Sequence, residues 1–168
     1  PQPLAVVLAN ANVLLSCRMP DAALSVLERI GPAPGAERIQ WLTLQWRAAN
    51  AALDHRRAAL ALERLAAQQP GQLERLLLPL QQRPDGSWVN RSALDLLASH
   101  LESSGQPTSA AALLLLSRGQ DSAAAERLAQ AVQLLTELPI PEREPLFERA
   151  LEQAAAAGAW GLVGELLA

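Results

Sequence analysis

Apolar residues recur at spacings of three and four along most of the chain, and Pro, Gly and capping residues cut that period into short helical segments. Leu4 to Cys17 predicts a helix stopped by Pro20, and Asp21 stands as the N-cap of a second, Ala22 to Ile30. The cluster Gly31-Pro32-Ala33-Pro34-Gly35 ends it. Glu37 to Leu53 is the longest uninterrupted helical pattern. Asp54 or His55 opens the next, Arg56 to Gln69, which Pro70-Gly71 closes. Leu73, Leu76, Leu77 and Leu80 keep a helical spacing despite Pro79, so Gln72 to Gln82 is expected to be helical as well. Arg83 to Trp88 is a loop, and Asn90 can cap a helix running to Ser103. Gly105-Gln106-Pro107 turns the chain into Ala110 to Ser117. A loop at Arg118 to Gln120 leads to Asp121 or Ser122, either of which can cap a helix reaching Leu138, ended by Pro139-Ile140-Pro141. Glu142 to Ala157, the turn at Gly158 and a last helix from Ala159 complete about ten helices.

Composition supports the helical reading. Half the residues are hydrophobic but only 3% are aromatic, with no Tyr and one Phe, so the apolar mass is mostly Ala and Leu, both strong helix formers. Sustained runs of Val, Ile, Thr and aromatics are missing. Asp85-Gly86 comes closest to a hairpin signal, but its left flank reads as helix. The length fits one domain, residues 1–168, and the opening Pro1-Gln2-Pro3 without Met is expected of a piece of a longer chain. The apolar stretch Leu4 to Leu15 is too short for a membrane span, which takes about twenty residues.

Charge narrows the function classes. The net charge is -3, all the basic residues are Arg, and they are scattered, a pattern that argues against binding a phosphate backbone. The lone Cys17 ends a helix without Cys or clustered His companions for a disulfide or a metal. His55 and His100, the only histidines, have no Ser, Cys or acid at a spacing that suggests a catalytic group, although His100 lies beside Ser99 and Glu102, and both read as structural residues. Glu142, Glu144, Glu148 and Glu152 read as a solvated helix face. No glycine-rich phosphate loop occurs. An enzyme activity, a cofactor and a metal are therefore not expected. Trp88, in the long loop, is either an exposed contact residue or folded back over Leu77 and Leu80, and Trp41 and Trp46, five apart, cannot both face one side fully, so one is expected to line a surface.

Self-similarity organises the helices into pairs. Leu94, Leu97, Ala98, Leu101, Gly105, Ala110 and Leu114 share their offsets with Phe147, Ala150, Leu151, Ala154, Gly158 and Leu167, with Val163 at a small-residue position. Val7, Ala11, Leu14, Ala23, Leu27 and Ile30 repeat them near the start, where Pro20 matches Pro107. A fourth copy keeps Ala58, Leu62, Leu65 and Pro70 but has Trp46 where a small residue belongs. These large and small positions resemble the tetratricopeptide pattern, in which two antiparallel helices interlock. The spacing departs from that family's roughly 34-residue period: Ala23 to Ala58 is near one repeat, whereas Ala58 to Ala110 and Gly105 to Gly158 are about half a repeat too long. Gln72 to Gln82 and Ala123 to Leu138 are read as single helices inserted between pairs, and irregular solenoids of the HEAT kind share such features.

The expected fold is thus all-α, an α-solenoid of antiparallel helix pairs. The resemblance implies a scaffold or assembly factor that holds a protein or peptide segment in a concave groove lined by the first helix of each pair. Carried across, the groove positions are Gln40, Thr43, Arg47 and Asn50, then Ser92, Asp95, Ser99 and Glu102, and finally Glu148 and Glu152. With Arg47 at one end and acids towards the other, such a groove would prefer a peptide with basic character near the C-terminal repeats. The carboxylate-clamp subtype needs Lys as well as Arg in the groove, and the chain has no Lys. A helical accessory region of a larger enzyme or regulator and a self-associating structural module are the competing classes.

Overall fold

Each helix of the computed structural model starts or stops at a cap or a breaker in the apolar period. The structure describes residues 3–31, 35–68 and 72–168. The breakers at 32–34 and at Pro70-Gly71, and the start Pro1-Gln2, lie outside the described residues. The elements are α1 (Leu4–Ser16), α2 (Pro20–Glu28), α3 (Ala36–Ala51), α4 (His55–Gln68), β1 (Leu77–Gln82), β2 (Trp88–Ser92), α5 (Ala93–Ser103), α6 (Pro107–Leu114), α7 (Ser122–Leu134), α8 (Ile140–Ala156) and α9 (Trp160–Leu167). The molecule is mainly helical, with one antiparallel two-stranded sheet among the described residues.

Four helix pairs close with the same turn. The second residue beyond the first helix is left-handed in each: Arg18 (φ 58°), Leu53 (φ 57°), Gly105 (φ 76°) and Gly158 (φ 71°). The next amide then donates back to a carbonyl in the last turn of that helix, Met19 to Leu14, Asp54 to Ala49, Gln106 to Leu101 and Ala159 to Ala154, at 2.8–2.9 Å. This is the Schellman arrangement, which satisfies carbonyls that helix ends otherwise leave open. The second helix begins at matched positions too, with the amides of Ala23, Ala58, Ala110 and Val163 donating to Met19, Asp54, Gln106 and Ala159. Ala23, Ala58 and Ala110 are fully buried, so the small positions of the repeat are points of close packing.

The chain divides into two compact units, residues 1–100 and 101–168. In the first, α1 packs on α2, α2 and α1 on α3, and α3 on α4. Trp41 is buried there, and its indole N–H donates to the carbonyls of Ile30 (2.9 Å) and Leu27 (3.2 Å), closing the C-terminal end of α2 against α3. Trp46 is buried as well, so neither indole of α3 lines a surface, contrary to the expectation from their spacing. In the second unit, α6 packs on α7, α7 on α8 and α8 on α9. Leu128, Val132 and Ala150 form a core cluster, with Leu115, Leu146, Phe147 and Leu166 packed against it. The expected single helix at Ala123 to Leu138 is α7, shorter at its C-terminal end. Asp121 caps it, accepting from the Ala124 amide at 2.9 Å.

The expected helix at Gln72 to Gln82 is absent, and most of that segment is strand β1. Leu77 pairs with Ser92 and Gln82 with Trp88 in an antiparallel register that is interrupted between Pro79 and Gln81. A mid-helix Pro costs ~3 kcal/mol, whereas an edge strand or bulge tolerates it. The turn supplies the rest of the preference. Gly86 takes φ 88°, and the Asp85 carboxylate accepts from the Ser87 hydroxyl (2.6 Å) and amide (2.9 Å), bonds that also lower its pKa. Asn90 therefore lies inside β2 and does not cap α5. Ser92 does, accepting from the Leu94 amide at 3.3 Å while donating to the Glu74 carbonyl at 2.7 Å.

Candidate functional site

Residues three and four apart on a helix share a face, and two such faces meet between α1 and α3. Ala5, Leu8, Ala9 and Asn12 from α1 and Glu37, Gln40, Thr43, Leu44 and Arg47 from α3 line a groove of about 510 Å³. Leu8 and Leu44 are buried and form its floor, and Glu37, Gln40 and Asn12 are exposed along its rims. The Thr43 hydroxyl donates to the Ile39 carbonyl at 2.8 Å, so its donor is satisfied within α3.

Arg47 is the one cation in this lining. It is half-buried, its Nη1 donates to Asn12 Oδ1 at 3.3 Å, and its guanidinium carbon lies 5.5 Å from the centre of the Trp88 ring. Loss of water around it lowers its pKa from the ordinary arginine value, but a guanidinium stays charged in proteins. It has no acidic partner among the described residues. Trp88, the first residue of β2, is 41% exposed. Its ring flanks Arg47, so the hairpin places an aromatic face beside the groove's cationic end, a cation–π contact of ~0.5–1 kcal/mol.

The expected groove residues separate into groups. Gln40, Thr43 and Arg47 share the α1–α3 groove; Asn50 is half-buried on α3 beyond its lining. Ser92 is buried with its hydroxyl committed to Glu74 and Leu94, so it offers no atom to a partner. Asp95 is half-buried and Ser99 exposed on α5. Glu102, Glu148 and Glu152 belong to the second unit, all exposed, with Glu102 accepting from Gln130 Nε2 at 3.3 Å. The α1 half of the groove was missed from sequence, although the signal was present. The step that carries Ala58 back to Ala23 carries Gln40, Thr43 and Arg47 back to Ala5, Leu8 and Asn12.

A second polar cluster lies inside the first unit. Trp46 Nε1–H donates to His100 Nε2 at 3.0 Å, and His100 Nδ1 stands 3.1 Å from His55 Nδ1. An indole is only a donor, so neutral His100 carries its proton on Nδ1 and directs it at His55. Trp46 fills the position where Ala11 and Ala98 stand in other pairs, and the larger ring is accommodated because its N–H finds this acceptor. His100 is 4% exposed. Burial, with a smaller contribution from His55, pushes its pKa down to about 4. The sequence reading of both histidines as structural residues did not foresee that they touch, because they come from α4 and α5.

No protein-family model, curated protein or solved structure matches this chain.

The chemistry of the two clusters differs accordingly. The histidine pair is enclosed and joins α3, α4 and α5, whereas the groove is open and presents Arg47 without an acidic partner among the described residues. Among the described residues no three His, Cys, Asp or Glu side chains gather as they would around a metal ion. Cys17 is exposed at the end of α1. No described helix is long and apolar enough to cross a membrane.

Proposed function

We propose that this chain is a protein-interaction scaffold of tetratricopeptide-like character that holds a segment of a partner in the groove between α1 and α3. The observation that carries the reading is the groove itself: an apolar floor with polar rims, formed by the first helices of two successive pairs, with an arginine that no acid among the described residues neutralises. Open apolar clefts with a few convergent polar groups are the usual form of binding sites. The recurrence of one turn geometry in four helix pairs supports a repeat protein, and repeat proteins bind through such surfaces.

Ala9 is exposed in the groove, so Ala9→Arg would fill it without disturbing the core. Affinity purification with the wild-type and Ala9→Arg proteins, read by mass spectrometry, is the test. A partner retained equally by both would remove the groove from the reading. A second reading, a self-associating module, is favoured by Trp160 and Leu167, which lie on one face of α9 two turns apart and are 67% and 66% exposed. Light scattering on the wild type and on Trp160→Ser decides it, because only self-association makes the mass depend on that residue.

A further inference from the structure

The groove is two-ended in charge. Glu37 stands at one end and Arg47 at the other, on the same face of α3. Ten residues of helix separate them by roughly 15 Å. Neither has an opposite charge beside it among the described residues, and Arg47 already has contacts, with Asn12 on one nitrogen and its guanidinium carbon 5.5 Å from the centre of the Trp88 ring. An arginine held this way loses little further freedom on meeting a carboxylate, which it can grip through its remaining N–H groups. Between the two charges the trough is lined by Ala5, Leu8, Ala9, Leu44 and the short Thr43, with Gln40 along its rim.

An extended chain advances about 3.3 Å per residue, so four to five residues of it span the same distance.

We infer that the groove takes an extended segment of another protein that carries a carboxylate against Arg47 and a basic side chain four to five residues away against Glu37, with small or aliphatic residues between them. This rests on the scaffold reading above and specifies the partner's chemistry. The hairpin contributes Trp88, whose ring lies beside Arg47 at the groove's cationic end.

The test is selection of a random peptide phage library on the full chain. Enriched sequences are then synthesised with a fluorophore and titrated by fluorescence polarisation against wild type, A9R, R47E, R47Q, E37R and the E37R/R47E double variant, with circular dichroism confirming that each is folded. Enriched peptides are expected to show the acid and base at that spacing. A9R should abolish binding, and R47E, R47Q and E37R should each weaken it about tenfold, the worth of one charge-assisted contact. The double variant should prefer the peptide with its two charges exchanged. Binding that A9R blocks but that ignores Arg47 and Glu37 would overturn the two-ended pairing and leave the scaffold reading standing. Peptides indifferent to A9R, or no enrichment above an uncoated control, would overturn the groove itself and this inference with it.

Discussion

Acidification should weaken the first unit through a single buried ring. His100 titrates near 4 in the folded protein and near 6.5 when unfolded, because burial and the neighbouring His55 oppose its positive charge. The unfolded chain therefore binds the extra proton first. Stability is greatest above pH 6.5, falls as pH drops from 6.5 to about 4, and levels off below that. The difference between the two values amounts to ~3 kcal/mol, a large part of the 5–15 kcal/mol that holds a typical domain together. Protonation at Nε2 also places two donors face to face, since Trp46 already directs its N–H there at 3.0 Å. Urea unfolding followed by tryptophan fluorescence at pH 7, 6, 5 and 4 reads the effect. The wild type should lose about 3 kcal/mol across that range, and His100→Gln, whose amide oxygen can still accept from Trp46, should be nearly flat. Asp85, whose carboxylate is stabilised by Ser87, acts only below the usual carboxylate range and leaves this window clean. Equal slopes in wild type and His100→Gln would refute the reasoning.

Other substitutions follow from the same geometry. Trp46→Ala leaves a cavity and takes the indole donor away from His100 Nε2, so it should cost ~3–5 kcal/mol in a denaturant melt. Leu53→Gly removes a left-handed strain of ~1–2 kcal/mol at the cost of ~0.5–1 kcal/mol of chain entropy, and, as Leu53 is 74% exposed, it should raise the midpoint of unfolding slightly. Gly105→Ala should lower it by ~1 kcal/mol through backbone strain alone, since an added methyl would meet no neighbour. Asp121→Ala deletes the cap of α7 and should cost ~1 kcal/mol, measured the same way.

Much of the helical framework was legible because Ala and Leu at helical spacing, cut by Pro and Gly, leave little choice of element. The pair register was legible too: the small positions at Ala23, Ala58 and Ala110 are buried, and Gly105 and Gly158 occupy turns that need a left-handed residue. Arg18 and Leu53 fill the same turns without any sequence sign. The hairpin was misread because four leucines matched a helical period, while the opposing information, Pro79 and Asp85-Gly86, acts through backbone donors and turn geometry that a hydrophobic pattern does not weigh. Within the groove, the α3 residues were found from the family resemblance, whereas Trp88 meets Arg47 only through the course of the hairpin, and no local spacing relates them. The contact between His55 and His100 is likewise long-range and invisible to any window of sequence.

Trp46 gives the otherwise similar helix pairs an address. The indole needs an acceptor, and α5 supplies it at His100. Parting the two would strand a buried N–H, so one bond ties the middle of α3 to a residue far along the chain.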